Sequence, residues 1–168
     1  MSNEFKDWYN DLTDEQKQNY KLCIKYPILT PHNRWTGDVR DDYMYEYTEL
    51  DQMPTGWRIA FGEQWAADVQ AVINKMSEEE RDKVCIMDIK EKYGLLCQYF
   101  NYYTDELDEV INKYTRLSKR TCIHCGAPAT KISMGWISPW CDSCAEKIPY
   151  KMIDIDEWFK EVEEDGDD

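Results

Sequence analysis

The chain has 168 residues, of which 20 are basic and 34 acidic, a net charge of −14, and it is 42% hydrophobic and 14% aromatic. That length and apolar content suit one domain, or one domain with a small appended module. The charge disfavours direct binding to DNA, RNA or anionic membranes, and no apolar run approaches the roughly 20 residues needed to span a bilayer.

The first residues, MSNEFKDWYN, lack the basic start and apolar run of a signal peptide. Residues 4–12 read as a short helix or arm with Phe5, Trp8 and Tyr9 on one side. T-D-E-Q from Thr13 is a capping box, and it opens a helix that Pro27 ends, with Tyr20, Cys23 and Ile24 on one face. Residues 28–37 carry the Pro, His, Asn and Gly content of a loop. In 38–53, Tyr43, Tyr45 and Tyr47 alternate as in a strand, yet acids are dense, which predicts a loop or a short edge strand.

A turn at Met53-Pro54-Thr55-Gly56 leads into the longest helix, from about Trp57 to Met76. Phe61, Trp65, Val69, Val72, Ile73 and Met76 recur at three and four, the pattern of a core-facing stripe. Ser77-Glu78-Glu79-Glu80 is a second capping box. Residues 84–89 and 95–103 then predict an antiparallel hairpin around 90–94, with Gly94 at its corner. On the second strand Leu96, Phe100 and Tyr102 would face one way, and Cys97, Tyr99 and Tyr103 the other. Thr104 caps the next helix, whose predicted stripe is Leu107, Val110, Ile111, Tyr114 and Leu117. Lys113, Arg116, Lys119 and Arg120 crowd its C-terminal half. They complement the helix dipole and nearby thiolate charge, or alternatively grip a phosphate or an acidic partner.

The strongest signal follows. Cys122 and Cys125 form one C-x-x-C pair and Cys141 and Cys144 another. Two residues between cysteines let a tight turn aim both sulfurs at one point, and two such knuckles complete a tetrahedron of thiolates, the geometry of structural zinc. Gly126 supplies the left-handed freedom that the first turn needs. Redox chemistry requires only one such pair, and catalytic zinc keeps one position open to water, which four thiolates close. Between the knuckles, short apolar runs around Pro128, Gly135 and Pro139 suit a small twisted ribbon. His124, inside the first knuckle, is expected beside the site or exposed. Cys23, Cys85 and Cys97 remain as expected buried thiols, and a reducing, cytoplasmic setting follows.

Residues 149–168 hold two basic against nine acidic residues. Ile153, Ile155, Trp158, Phe159 and Val162 are dense enough there to dock a helix from about Asp156 to Glu163, with a disordered end. With only His32 and His124, no glycine-rich phosphate loop and no nucleophile elbow, no catalytic role is expected. The fold class that results is α+β, mainly helical, with a hairpin and a C-terminal four-cysteine zinc ribbon. Its expected divisions are 1–120, 121–148 for the zinc module, and 149–168 for an acidic helix and tail.

MPTGWRIAFGEQW, IKEKYGLLCQYF and TCIHCGAPATKISMGWISPWCDSCAEK together resemble a family of small phage and prophage proteins. Its pattern is M-P-x-G-W-R before a long helix, K-E-K-[FY]-G in a hairpin, and G-W-I before the second cysteine pair; the match covers roughly residues 40–148. The resemblance implies Cys122, Cys125, Cys141 and Cys144 as ligands of a structural zinc ion. Some similar small acidic phage proteins are anti-CRISPR inhibitors, which implies a binding inhibitor of a type II RNA-guided nuclease in the cytoplasm of a bacterial host. An acidic protein can occupy the basic channel of such a nuclease. The candidate contact residues are Asp41, Asp42, Glu46 and Glu49, within the acidic 38–51 stretch, and Asp154, Asp156, Glu157, Glu161, Glu163 and Glu164 in the tail. The alternative is a zinc-stapled regulatory or adaptor protein that binds a host protein or nucleic acid through its knuckles and Arg116, Lys119 and Arg120.

Overall fold

In a computed structural model that describes residues 3–165, the chain folds as α+β. Helices Asn3–Asp11 (α1) and Asp14–Lys25 (α2) meet at Thr13, whose hydroxyl accepts the Gln16 N–H while the Gln16 side chain accepts the Thr13 N–H. This reciprocal cap is the one that T-D-E-Q predicts. Rings of Phe5, Trp8, Tyr9 and Tyr20 pack α1 on α2, and Tyr45 closes the group with its centroid 5.1 Å from that of Tyr20. Ile24, expected on the buried face, is exposed; the inward position is Asn19, whose amide donates to the Tyr45 carbonyl at 2.9 Å. After a 3-10 turn at Pro27–Leu29, the 38–48 stretch is loop with no strand, and Glu49–Gln52 is a second 3-10 turn.

The central helix begins as Thr55–Trp57 (α3), passes through a π-helical segment at Arg58–Gly62 and continues as Glu63–Lys75 (α4). Its buried residues Trp57, Phe61, Trp65, Val69 and Ile73 are spaced by four throughout. A regular helix turns about 100° per residue, so each step of four overshoots by about 40°. The π segment, with its wider turn, takes up part of that drift and keeps both tryptophans in the core. Ser77 then caps Glu78–Lys83 (α5) in the predicted box.

Strands Ile86–Lys92 (β1) and Leu95–Phe100 (β2) pair antiparallel as far as Lys92 opposite Leu95, so the turn is the two residues Tyr93 and Gly94. Both have positive φ, 52° and 78°, as mirror-image hairpin turns require. Helix Asp105–Ser118 (α6), capped by Thr104, covers β2. Leu107 and Tyr114 are fully buried, whereas Leu117 is exposed and its expected place is taken by Ser118. The Ser118 hydroxyl accepts the Leu96 N–H at 2.9 Å. Gln98 is buried too, accepting from the Trp65 indole at 2.7 Å and donating to the Ile111 carbonyl.

The C-terminal part is a three-stranded antiparallel sheet of order β4-β3-β5, from Lys131–Ser133 (β3), Pro139–Trp140 (β4) and Met152–Asp154 (β5). Helices Asp142–Ala145 (α7) and Ile155–Asp165 (α8) complete it. Ile155, Trp158 and Phe159 of α8 pack on Ala129, Ile132, Ile137 and Ile153. The expected disordered end, 166–168, lies outside the described residues. Among the described residues, no helix is long and apolar enough to cross a membrane.

The central helix is joined to the first cysteine knuckle at Gly56. Its N–H donates to the Ile123 carbonyl at 2.8 Å, and the Trp57 indole N–H donates to the Thr121 carbonyl at 2.9 Å. A Cβ on Gly56 would collide with the Cys122 carbonyl oxygen and lie 2.5 Å from the Ile123 carbonyl carbon, both of them backbone atoms that cannot rotate away. Gly56→Ala is therefore expected to lower the unfolding free energy by about 2–4 kcal/mol, read from urea melts. A loss below about 0.5 kcal/mol, the ordinary surface value, would show that the helix and knuckle are free to separate.

Candidate metal centre

Each knuckle is shaped by its backbone before any ligand is considered. In the first, the Cys122 N–H donates to the Ala127 carbonyl, and the Gly126 N–H donates to the Cys122 carbonyl at 3.0 Å. Gly126 has φ 80°, the left-handed conformation expected of it. In the second, Cys141 stands in extended backbone as the N-cap of α7, so one helical turn brings Cys144 round to the same side. The Ile123 N–H donates to the Pro139 carbonyl at 2.9 Å and ties the two knuckles together.

The four sulfurs of Cys122, Cys125, Cys141 and Cys144 lie within 4.8 Å of one another, with Cys125 and Cys141 at 3.6 Å. A tetrahedron with metal–sulfur bonds of about 2.3 Å has sulfur–sulfur edges of about 3.8 Å, so the set fits a metal ion. None of the seven cysteines is in a disulfide. Three of the four cluster residues are buried, and Cys125 is the most exposed. Burial opposes ionisation of Cys122, but backbone N–H groups of Cys125, Cys141 and His124 outweigh it and pull its pKa below the ordinary thiol value. At Cys144, burial and then the neighbouring sulfurs push the pKa up. Thiols so placed cannot all ionise together unless a cation joins them. His124 is exposed beside Trp140 and lies outside the sulfur cluster.

Of the other thiols, Cys23 and Cys85 are buried as expected, and Cys97 is half-buried. Burial raises the Cys23 and Cys85 pKa values, which makes both poor nucleophiles. The basic residues near the end of α6 are partly committed. Lys113 pairs with Asp68 at 2.7 Å, and Arg120 pairs with Asp156 at 2.8 Å while lying 4.9 Å from the Phe159 ring.

The candidate contact acids divide into three groups. Asp41 and Glu46 are exposed, and Asp42 is paired with Arg40 at 2.9 Å. Asp154 caps α8 by accepting the Asp156 and Glu157 N–H groups, and Asp156 holds Arg120. Glu157, Glu161 and Glu163 are exposed on α8 and form no ion pair with any described residue, while the Glu164 side chain lies outside the described part. Glu49, expected on the contact surface, is instead 7% exposed and belongs to the interior, where its 3-10 turn rotates it inward next to Gln52. Its sequence neighbours Leu50 and Met53, both buried, are the signal that this turn is a core element.

No family model, curated protein or solved structure matches this chain.

Burial lifts the Glu49 pKa from 4.5 to about 7, against the opposing pull of Arg34 and of a hydrogen bond from the His32 backbone. The folded chain thus holds this proton more tightly than the unfolded one. The contribution to stability is complete below about pH 4.5 and is lost as pH rises through about 7. Glu49→Gln is expected to flatten that decline and to stabilise the fold at about pH 8 by on the order of 1–3 kcal/mol, measured by urea melts across the range. If the variant and the parent lose stability with identical slope, the ionisation belongs to another group.

Proposed function

We propose that the four cysteines hold a structural zinc ion and that the protein acts by binding, without catalysis, as an acidic inhibitor of a host nucleic-acid-handling nuclease. The resemblance in its sequence points to a type II RNA-guided nuclease as that partner. Four thiolates close the metal's coordination shell, so the ion supplies folding energy and no reactive water. The observation that carries the binding reading is α8. Its apolar side is docked on the ribbon, and its exposed surface carries Glu157, Glu161 and Glu163, none of them in an ion pair with a described residue, with Lys160 the cation among them.

Such a face suits a basic channel. Unpaired carboxylates on a fixed helix steer encounter with a positive surface and compete with the phosphates that normally fill it. Asp41 and Glu46 on the 38–48 loop add to the same charge. The adaptor reading, in which α6 grips nucleic acid, is weakened because Arg120 is already spent on Asp156 and Phe159. It would leave Arg116 and Lys119 to act against a net charge of −14.

Two measurements separate the parts of this proposal. Metal analysis of the purified chain should find one zinc per molecule. Cys141→Ser should release it and cost the C-terminal part at least about 3 kcal/mol, since metal binding here is folding energy. A Cys141→Ser chain with full metal content and native stability would remove Cys141 from the ligand set. For the partner, excess protein should block target-DNA loading by a guide-loaded type II nuclease. Joint charge reversal of Glu157, Glu161 and Glu163 to Lys should weaken that block at least about tenfold while zinc content stays the same. Undiminished DNA loading in excess wild-type protein would remove this nuclease as the partner.

A further inference from the structure

The most acidic of proteins can still hold a cationic recess, and this one does. A cavity of about 760 Å³ opens between the 32–37 loop, the end of α5 and the start of β1. Arg34, Arg81 and Lys83 line it against one carboxylate, Asp82, with His32 at its edge. A second cavity of about 370 Å³ adjoins it, sharing His32, Arg81, Asp82 and Val84, so the two form one elongated groove. Three cations gathered in one concavity contrast with a net charge of −14 for the chain.

The cations are free to act on a ligand. Arg81 makes no ion pair with any described residue, and Arg34 donates to a neutral acceptor, the Gln52 side chain, at 3.3 Å. The acid facing Arg34 is Glu49, which is buried and retains its proton up to about neutral pH, so it cancels little of the guanidinium charge. Lys83 alone is shared, with Glu79 at 2.7 Å.

At the mouth stands Trp35, 95% exposed. Its exposure is built in: the Asn33 side chain accepts the Trp35 and Thr36 N–H groups, the Gly37 N–H returns to the Asn33 carbonyl, and the Asn33 N–H donates to the Asp38 carbonyl. A self-bonded turn of this kind holds the backbone from which the indole projects at the rim of the recess that Arg34 and Arg81 line. Guanidinium forks match phosphate oxygens, and an exposed indole offers a face for a flat heterocycle.

We propose that this groove binds a nucleoside phosphate, with phosphate against Arg34 and Arg81 and the base stacked on Trp35. A free nucleotide is favoured over a strand, because every further phosphate of a strand meets the negative field of the rest of the chain. The proposal is independent of the nuclease reading and of the metal.

The test is calorimetric titration of the full-length, zinc-loaded chain at low salt with ADP, with pyrophosphate and with a single-stranded oligonucleotide. ADP should bind, pyrophosphate more weakly, and the oligonucleotide least. Arg34→Gln with Arg81→Gln should weaken ADP and pyrophosphate alike by about tenfold or more, the effect of losing charge-assisted bonds. Trp35→Ala should weaken ADP at least about fivefold and leave pyrophosphate unchanged. All three side chains are exposed, and a native thermal transition in each variant confirms that folding is intact. The proposal is overturned by no ADP binding at millimolar concentration, by ADP affinity that survives the double substitution, by Trp35→Ala acting equally on both ligands, or by an oligonucleotide that binds more tightly than ADP.

Discussion

Main chain pressed against main chain at Gly56 is the constraint on which the rest of this structure depends. The helix that begins there has no side-chain cap, since Pro54 cannot supply one. Its open N–H at Gly56 is satisfied instead by the Ile123 carbonyl of the first knuckle. Unpaired N–H groups at a helix start must find an acceptor, and here the acceptor belongs to the first cysteine knuckle. Gly126 faces the same contact from the other side, where a Cβ would sit 2.6 Å from the Gly56 carbonyl oxygen. Two glycines are needed because two backbones meet. The result is that Ile123 packs into the main core, and the knuckle becomes part of the wall of that core.

A second device holds the helices and hairpin in register. Trp65 on α4, Gln98 on β2 and both Ile111 and Thr115 on α6 share one buried hydrogen-bonded chain. Ser118 extends it to the Leu96 N–H. No buried side-chain nitrogen or oxygen among the described residues lacks a partner. A network satisfied at every member fixes geometry, because sliding any element by one residue would strand a buried polar group at a cost of about 1–3 kcal/mol. The apolar stripes alone would tolerate small slips, and this network does not.

Local signals were readable from the sequence, and contacts between distant segments were not. Thr13, Ser77 and Thr104 announce their helices because a cap is written within four residues, and the four cysteines announce their cluster because each knuckle is a local turn. Ile24 and Leu117 mislead for a shared reason. Each lies at the margin of an apolar stripe, and an inward position on the same helix went to a polar residue, Asn19 or Ser118, with a partner far away in the chain. Glu49 resembles a solvated acid in a run of acids; only the loop at residues 32–34 and Gln52, folded against it, make it interior. Strand β5 is three residues long in an acidic context, and its pairing with β3 has no signature before the sheet exists.

That short strand decides what the knuckles do for the acidic helix. An isolated helix of 11 residues is marginal in water, so α8 depends on its platform. The platform is built outward from the cysteines: the knuckles hold β4 and β3, β3 pairs β5, and the Ile155 N–H that begins α8 donates to the Thr130 carbonyl at 3.0 Å. Arg120 clamps the other side, through Asp156 and the face of Phe159. A metal bound by the four sulfurs would therefore act on any partner of α8 without touching it. Such an ion would order the ribbon, the ribbon the helix, and the helix the positions of Glu157, Glu161 and Glu163.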